Sequence, residues 1–510
     1  MPTRKKTPAR SNSVETERRA FLAAIVAAPD DDTPRLVFAD WLEEERGDSA
    51  RAEFIRVQIE RARLPKWDAR QVRLRLREQA LLEQYEGKWK EGLPDIGGMD
   101  WEGFRRGFVA TANFDSFTKL REKAGDCWAA APIEAVSIRW PRRDESSETI
   151  APIPGLRELS IAARLVDQHD VARLADLPLL STLRALNIRN CNLGGEGFRQ
   201  LVASPHLGNL TALRVPGNTI GNRAIRALFK AVSLTSLTEL DLSETGSYGR
   251  TRSYRRYRED PVLEAMDLAA LASWSGMARL RVLTLSGNNA GRRGLRALLG
   301  SPNVSGLKEL TLRSNGLDAR AMQEFGSARA ELQLDCLDLG ENLIGDIGPS
   351  DLALAPCLSD LKVLELDRCE IRLSGARWLV NATFLGSLRR LNVDHNSFGP
   401  EGLYRLLEKK PPFLHTLQMV DNDLGDEGAA HLAESPASAT LLDVNLAQND
   451  LGFRAVQALV KSKHLRNLLV MRLTGNPIDK LAVEALRGSP LGKRLAVLEM
   501  TEKPDGEIPF

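Results

Sequence analysis

Leucines recur along this chain at fixed distances, and two kinds of spacing alternate. Aligning LTALRVPGNTIG, LRVLTLSGNNAG, LKELTLRSNGLD and LDCLDLGENLIG gives one template, LxxLxLxxNxL. Its first leucine falls at Leu156, Leu183, Leu210, Leu237, Leu280, Leu307, Leu334, Leu361, Leu388, Leu414, Leu441, Leu468 and Leu495. The interval is 27 residues throughout, apart from one of 26 and one of 43. The LxL core has the two-residue period of a strand, whose alternate side chains share a face. A second apolar anchor stands ten residues after the asparagine position, at Leu201, Leu228, Leu298, Phe325, Leu352, Leu379, Leu406, Leu432, Leu459 and Leu486. Phe198, Ile225, Leu295, Leu403, Val456 and Val483 precede their anchors by three residues, which is a helical spacing. Each unit is predicted to be one short parallel strand followed by one helix. Stacking of units then buries the leucines as a common spine.

The ninth template position is Asn218, Asn288, Asn315, Asn342, Asn396, Asn422, Asn449 and Asn476, with Cys191 and Cys369 replacing it twice. An asparagine there is expected to hydrogen-bond the backbone where the strand turns away, satisfying groups otherwise buried unpaired. The template resembles leucine-rich repeats, and a 27-residue period with a full helix is similar to the ribonuclease-inhibitor-like class. The resemblance covers about residues 133–510. It implies an α/β leucine-rich-repeat solenoid, a curved horseshoe with parallel strands on the concave face and helices on the convex one.

Residues 12–63 lack the template. Phe21, Leu22, Ile25 and Val26 stand at helical spacing, TPRLVFADWLEEERGD opens on Thr33 as a cap with Pro34 behind it and ends at Gly47, and ARAEFIRVQIERARL is a third helical stretch. The run AFLAAIVAAPDDDTPRLVFADWLEEERGDSARAEFIRVQ resembles the bacterial repeat-companion domain, a short helical module with no established catalytic residues. Asp30, Asp31 and Asp32 read as flanking the next helix, where negative charge suits the helix dipole, rather than as metal ligands. The organisation is then a disordered basic tail (1–11), a small helical N-terminal module (12–63), and an N-terminal cap with degenerate first repeats (64–150). The solenoid (151–510) follows, with an insertion at about 246–262. Within the cap, FVATANF (108–114) and IEAVSIRW (133–140) read as strands and FTKLREKAGDCWAAA as a helix. Such a cap covers the unpaired edge and bare leucines that an array would otherwise expose.

Composition narrows the function. The chain has 510 residues, 70 basic against 68 acidic, a net charge of +2. That balance predicts neither a polyanionic nucleic-acid partner nor a membrane surface for the whole molecule, and no apolar run reaches the length of a membrane span. The five cysteines, Cys127, Cys191, Cys336, Cys357 and Cys369, have no CxxC spacing and read as reduced thiols of a cytoplasmic protein. No P-loop, HExxH, GxSxG or Rossmann glycine pattern occurs, and the six histidines pair with no nucleophile motif. A non-enzymatic protein without cofactor or metal is expected.

Recognition is therefore sought on outward-facing positions. The residue between the fourth and sixth template positions includes Asp338 and Glu365; Asp367 and Asp394 follow on the next outward row, with Glu341 and Asp421 just beyond the strand ends. Adjacent parallel strands lie about 4.8 Å apart, so like charges on neighbouring units repel. Two accounts are open: a partner protein with a basic surface binds there, or Arg313, Arg368 and Arg390 neutralise the carboxylates locally. His395 is expected at the rim of the same face. The 43-residue interval holds SYGRTRSYRRYRED (247–260), whose Tyr248, Arg250, Arg252, Tyr254, Arg255, Arg256, Tyr257 and Arg258 are of types enriched at interface hot spots. This stretch reads as a protein-binding loop, with a plain solvated insertion or a nucleic-acid contact as competing readings. The function expected is a scaffold that binds a partner protein through the concave face and this loop. The alternative is a regulator of a small GTPase or other enzyme, by analogy of fold alone.

Overall fold

The computed structural model describes residues 8–139, 150–162, 168–245 and 267–501. The insertion 247–260, with all eight of its candidate residues, lies outside them. The chain divides into two compact units, one of Met1–Lys66, Arg73–Val215 and Ala231–Ser236, the other of Trp67–Val72, Pro216–Lys230 and Leu237–Phe510.

The first unit opens with helices α1 (Pro8–Ala27), α2 (Thr33–Arg46) and α3 (Ser49–Arg63). Helix α1 begins inside the stretch expected to be a disordered tail. Helix α2 ends as the sequence predicts, on Gly47 at φ 64°, whose N–H donates to the Leu42 carbonyl. Its start differs. Thr33 is not the cap: its own N–H donates to Asp31 Oδ1 at 2.8 Å, an Asx turn that satisfies a first-turn donor. Ile25, Phe38, Ala39, Ala52, Ile55, Ile59 and Phe108 form one core, with Phe21, Leu22 and Trp41 packed against it. The Phe38 ring lies 5.3 Å from Phe21 and 5.4 Å from Phe108. The aspartates before α2 serve as anchors: Asp30 pairs with Arg184 at 2.6 Å and Asp32 with Arg63 at 2.8 Å.

A helix absent from the sequence reading follows, α4 (Arg70–Lys90), assigned to this unit from Arg73 onward. Its charged residues outnumber its apolar ones, so no clean apolar stripe marks it. The cap also differs in detail. FVATANF is two strands, Phe108–Val109 in a hairpin with Phe104–Arg105, and Thr111–Phe114 in the main sheet. An unforeseen strand, Met99–Trp101, pairs antiparallel with Thr111–Phe114 and covers that edge. Strands Ala135–Arg139, Glu158–Ala162, Ala185–Arg189 and Ala212–Arg214 then add in parallel, aligning Ala112, Val136, Leu159, Leu186 and Leu213.

Among the described residues of the second unit, ten parallel strands of three residues run from Glu239–Asp241 to Val497–Glu499. Their register aligns Leu240, Leu283, Leu310, Leu337, Leu364, Leu391, Leu417, Val444, Met471 and Leu498. All but Leu498 on the final strand are buried. Between strands run helices such as Gly291–Leu299, Gly399–Glu408 and Phe453–Lys461, and anchors Leu298, Phe325, Leu352, Leu379, Leu406, Leu432, Leu459 and Leu486 are buried. Short 3₁₀ turns, for example Pro356–Leu358 and Thr383–Gly386, lead into many strands. The strand-plus-helix solenoid expected from the period is the fold observed.

The asparagines do what their spacing predicts. Asn342 Nδ2 donates to the carbonyls of Leu312 (2.9 Å) and Leu339 (2.8 Å), while its Oδ1 accepts from the N–H groups of Asn315 and Leu317, both at 3.0 Å. Asn396 and Asn449 repeat the pattern. Where Cys369 replaces asparagine, its Sγ donates to the carbonyl of Leu339 at 3.3 Å.

Candidate protein-interaction surface

The residue just before each ladder asparagine or cysteine is left-handed. Positive φ occurs at Asn190, Gly217, Gly287, Ser314, Glu341, Arg368, His395, Asp421, Gln448 and Gly475. The turn lets the backbone N–H of this residue reach the next unit: Glu341 donates to the carbonyl of Asp367 at 2.8 Å and Asp421 to that of Ala447 at 3.0 Å. Glycine or asparagine suits this conformation, and most other residues are strained in it. Glu341, Arg368, His395 and Asp421 thus present charged or polar groups from a position that backbone sterics would assign to glycine.

On the strands, Asp338 and Glu365 are direct cross-strand neighbours, as the sequence predicts. Arg313, one strand earlier, gathers three carboxylates. Its Nη1 and Nη2 grip Asp367 at 2.7 and 2.5 Å, Nη1 also reaches Glu341 at 3.1 Å, and Nε stands 3.5 Å from Asp338. Ser314 Oγ donates to the other Glu341 oxygen at 2.5 Å. Arg390 Nε pairs with Glu365 at 2.8 Å. Asp394 accepts the backbone N–H of Val420 at 2.6 Å, and His395 Nδ1 meets Asp421 at 3.0 Å. Arg368 is exposed and makes no ion pair among the described residues. All six predicted carboxylates therefore lie in one strip, and two of the three arginines named from the sequence pair with it.

The pairing is uneven. Arg313 is held well above the usual arginine range, chiefly by its hydrogen bonds to Asp367. Asp338 is nevertheless raised above the usual carboxylate range: burial dominates, and the Gly340 N–H and Arg313 offset only part of it. The two directions agree with the geometry, because both Nη groups serve Asp367 and Asp338 receives the longer Nε contact. Burial likewise raises Glu365 against the pull of Arg390, and raises Asp394 against the Val420 N–H. Six carboxylates stand against three arginines, Arg313, Arg368 and Arg390, so acidic groups are in excess on the strip, and burial raises three of them, Asp338, Glu365 and Asp394.

The helices and their flanking turns carry a feature that the sequence reading missed. Ile347, Leu354, Trp378 and Tyr404, on three successive units, are 68%, 73%, 51% and 40% exposed. Trp378 directly precedes the buried anchor Leu379, so its helical phase already pointed outward. Among the described residues no group of His, Cys, Asp or Glu is arranged to hold a metal ion. No helix among them is long and apolar enough to cross a membrane.

Comparison with known proteins bears on the repeats. The Leucine Rich repeat family model matches residues 180–201, 387–407 and 410–433, all within template units, so these units are leucine-rich repeats. Ribonuclease inhibitor of Sus scrofa is 33% identical over 162 residues, covering 31% of this chain and 30% of the relative. NACHT, LRR and PYD domains-containing protein 5 of Bos taurus is 29% identical over 193 residues, covering 30% of this chain and 18% of its own length. The chain thus spans less than a third of the length of these curated relatives. Among solved structures, a Listeria monocytogenes internalin aligns with a TM-score of 0.43 at 19% identity, over 73% of this chain and 88% of that one. The yeast Rad7 and Elc1 complex aligns at 0.41 and 17% identity, over 68% and 78%.

Proposed function

We propose that this chain is a non-enzymatic binding scaffold whose strand-face strip, from Asp338 to Asp421, receives a partner protein with a basic surface. The observation that carries this reading is the residual acidity of the strip after Arg313 and Arg390 have paired. A cationic side chain approaching Asp338, Glu365 or Asp394 stabilises carboxylates that burial otherwise disfavours. Glu341 and Asp421, exposed on left-handed turns, supply the steering charge. The Arg/Tyr loop 247–260 is the second contact. The helical segment 12–63 serves as a repeat-companion module, whose resemblance supplies the expectation of a bacterial protein, while the cysteines without CxxC spacing supply that of a cytoplasmic one.

The partial likeness to ribonuclease inhibitor favours one second reading, in which binding restrains an enzyme instead of merely placing it. Regulation of a small GTPase is one form of it.

The test is capture with the intact protein against a Glu341→Lys, Asp421→Lys double variant. The expected outcome is a partner retained by the intact protein in low salt, released as salt rises, and lost by the variant while circular dichroism shows it still folded. Equal retention by both ends the reading. Assaying a captured enzyme with and without the scaffold separates restraint from placement.

A further inference from the structure

The first unit contains a cavity of about 280 Å³ that no part of the repeat architecture requires. Its lining includes Leu22, Phe38, Arg51, Trp89, Leu93 and Phe108, drawn from α1 to α4 and the hairpin. Arg51 is its unusual member. The guanidinium carbon lies 4.7 Å from the Trp89 ring centroid, 5.1 Å from Phe104, 5.6 Å from Phe54 and 5.9 Å from Phe108. These rings offset part of the cost of burying a cation, yet they supply no oxygen acceptor.

Arg51 Nη1 is buried without a hydrogen-bond partner, and so is Trp89 Nε1 on the same lining. The acidic residue on that lining, Asp48, uses Oδ1 to accept the backbone N–H of Arg51 at 3.1 Å as the cap of α3. Arg18 and Lys88 also line the cavity, with Asp48 as the carboxylate on that lining. Burial lowers the Arg51 guanidinium to about 9, with Asp48 opposing and Arg18 adding to the shift. Buried donors are ordinarily paired, so the two unpartnered N–H groups, Arg51 Nη1 and Trp89 Nε1, are suited to an oxygen acceptor from outside the chain.

We propose that this cavity binds a small amphipathic carboxylate. The carboxylate accepts from Arg51 and Trp89, and its apolar body packs on Leu22, Phe38 and Leu93. Bidentate recognition of a planar carboxylate is what the guanidinium fork does best. The volume equals about nine waters at about 30 Å³ each, which suits a ligand the size of octanoate or 3-phenylpropionate. The site is independent of the acidic strip and stands or falls apart from it.

The experiment titrates the full chain with octanoate, 3-phenylpropionate and the neutral octanamide by calorimetry, with saturation-transfer NMR as a second readout. Saturable one-to-one binding of a carboxylate is expected, with octanamide at least tenfold weaker. Arg51→Gln should weaken octanoate at least tenfold without lowering Tm, since it removes an unpaired buried charge. Trp89→Phe keeps an aromatic ring beside Arg51 and removes the Nε1 donor. It should weaken octanoate as well, and it decides the matter if Arg51→Gln does not fold. Absence of saturable binding by either acid, equal affinity for acid and amide, or undiminished binding by the Trp89→Phe chain overturns the proposal.

Discussion

The guanidinium of Arg313 holds the carboxylate of Asp367, two repeats further along the chain, through Nη1–Oδ2 at 2.7 Å and Nη2–Oδ1 at 2.5 Å. Asp367 is only 7% exposed, and Arg313 is the cation that pairs with it. Removing Arg313 strands a nearly buried carboxylate. Arg313→Gln should destabilise the neighbouring repeats by about 2 kcal/mol, below the roughly 3–5 kcal/mol of a fully buried pair because Arg313 is partly solvated. Hydrogen exchange of the amides in Val363–Glu365 and Cys336–Asp338 measures this. Unchanged protection would show the clamp to be incidental.

The strip also predicts a pH dependence. Asp394 has a folded-state pKa above its ordinary value of 3.8, with burial as the largest cause. Between those two values the folded chain holds more protons than the unfolded one. The stabilisation it contributes is full below the ordinary value and is lost as pH rises through the folded one. Asp394→Asn removes the titrating group while leaving an oxygen for the Val420 N–H. The variant should be at least as stable at neutral pH, with a shallower fall in Tm as pH rises from about 4. A curve as steep as the parent's would contradict the assignment.

The asparagine ladder can be tested against the chain's own variation. Asn342→Ala leaves the Leu312 and Leu339 carbonyls and two N–H groups without their side-chain partner, at about 1–3 kcal/mol for each group that stays unpaired. A total loss of about 3 kcal/mol or more is expected. Asn342→Cys copies what the chain has at position 369, where the thiol donates to the Leu339 and Asp367 carbonyls, and should cost clearly less. Thermal melts of the two variants decide; equal losses would remove the hydrogen-bonding role assigned to cysteine.

All five cysteines are buried, and none forms a disulfide. Burial pushes Cys357 and Cys369 up to about 12 and Cys127 up to about 11, so these carry almost no thiolate at neutral pH. A disulfide reagent should titrate none of these three rapidly in the native protein and all five after unfolding in denaturant. A fast-reacting thiol at any of the three would place it at an opening absent from this structure.

The repeat register needed no structure to read. Leu283, Leu310 and Leu364 lie buried where a 27-residue count places them, because neighbouring units can stack only with their apolar sides together. Asn342 and Asn396 were legible for the same reason: position in the repeat fixes which backbone groups need partners. The long helix α4 was not, since its many arginines and glutamates hide its phase. Nor were the left-handed turns at Glu341 and Asp421, whose residue types give no hint of positive φ.

Sequence by itself thus determined the architecture, because strand and helix periods and the burial they demand are local properties repeated many times. Tertiary structure alone decided the chemistry of particular places. It set Arg313 on Asp367, 54 positions away, in preference to its nearer neighbour Asp338. It also drew Phe54, Trp89, Phe104 and Phe108 around Arg51. Such choices turn on the reach of individual side chains and on which charges lose their water, and neither quantity is periodic.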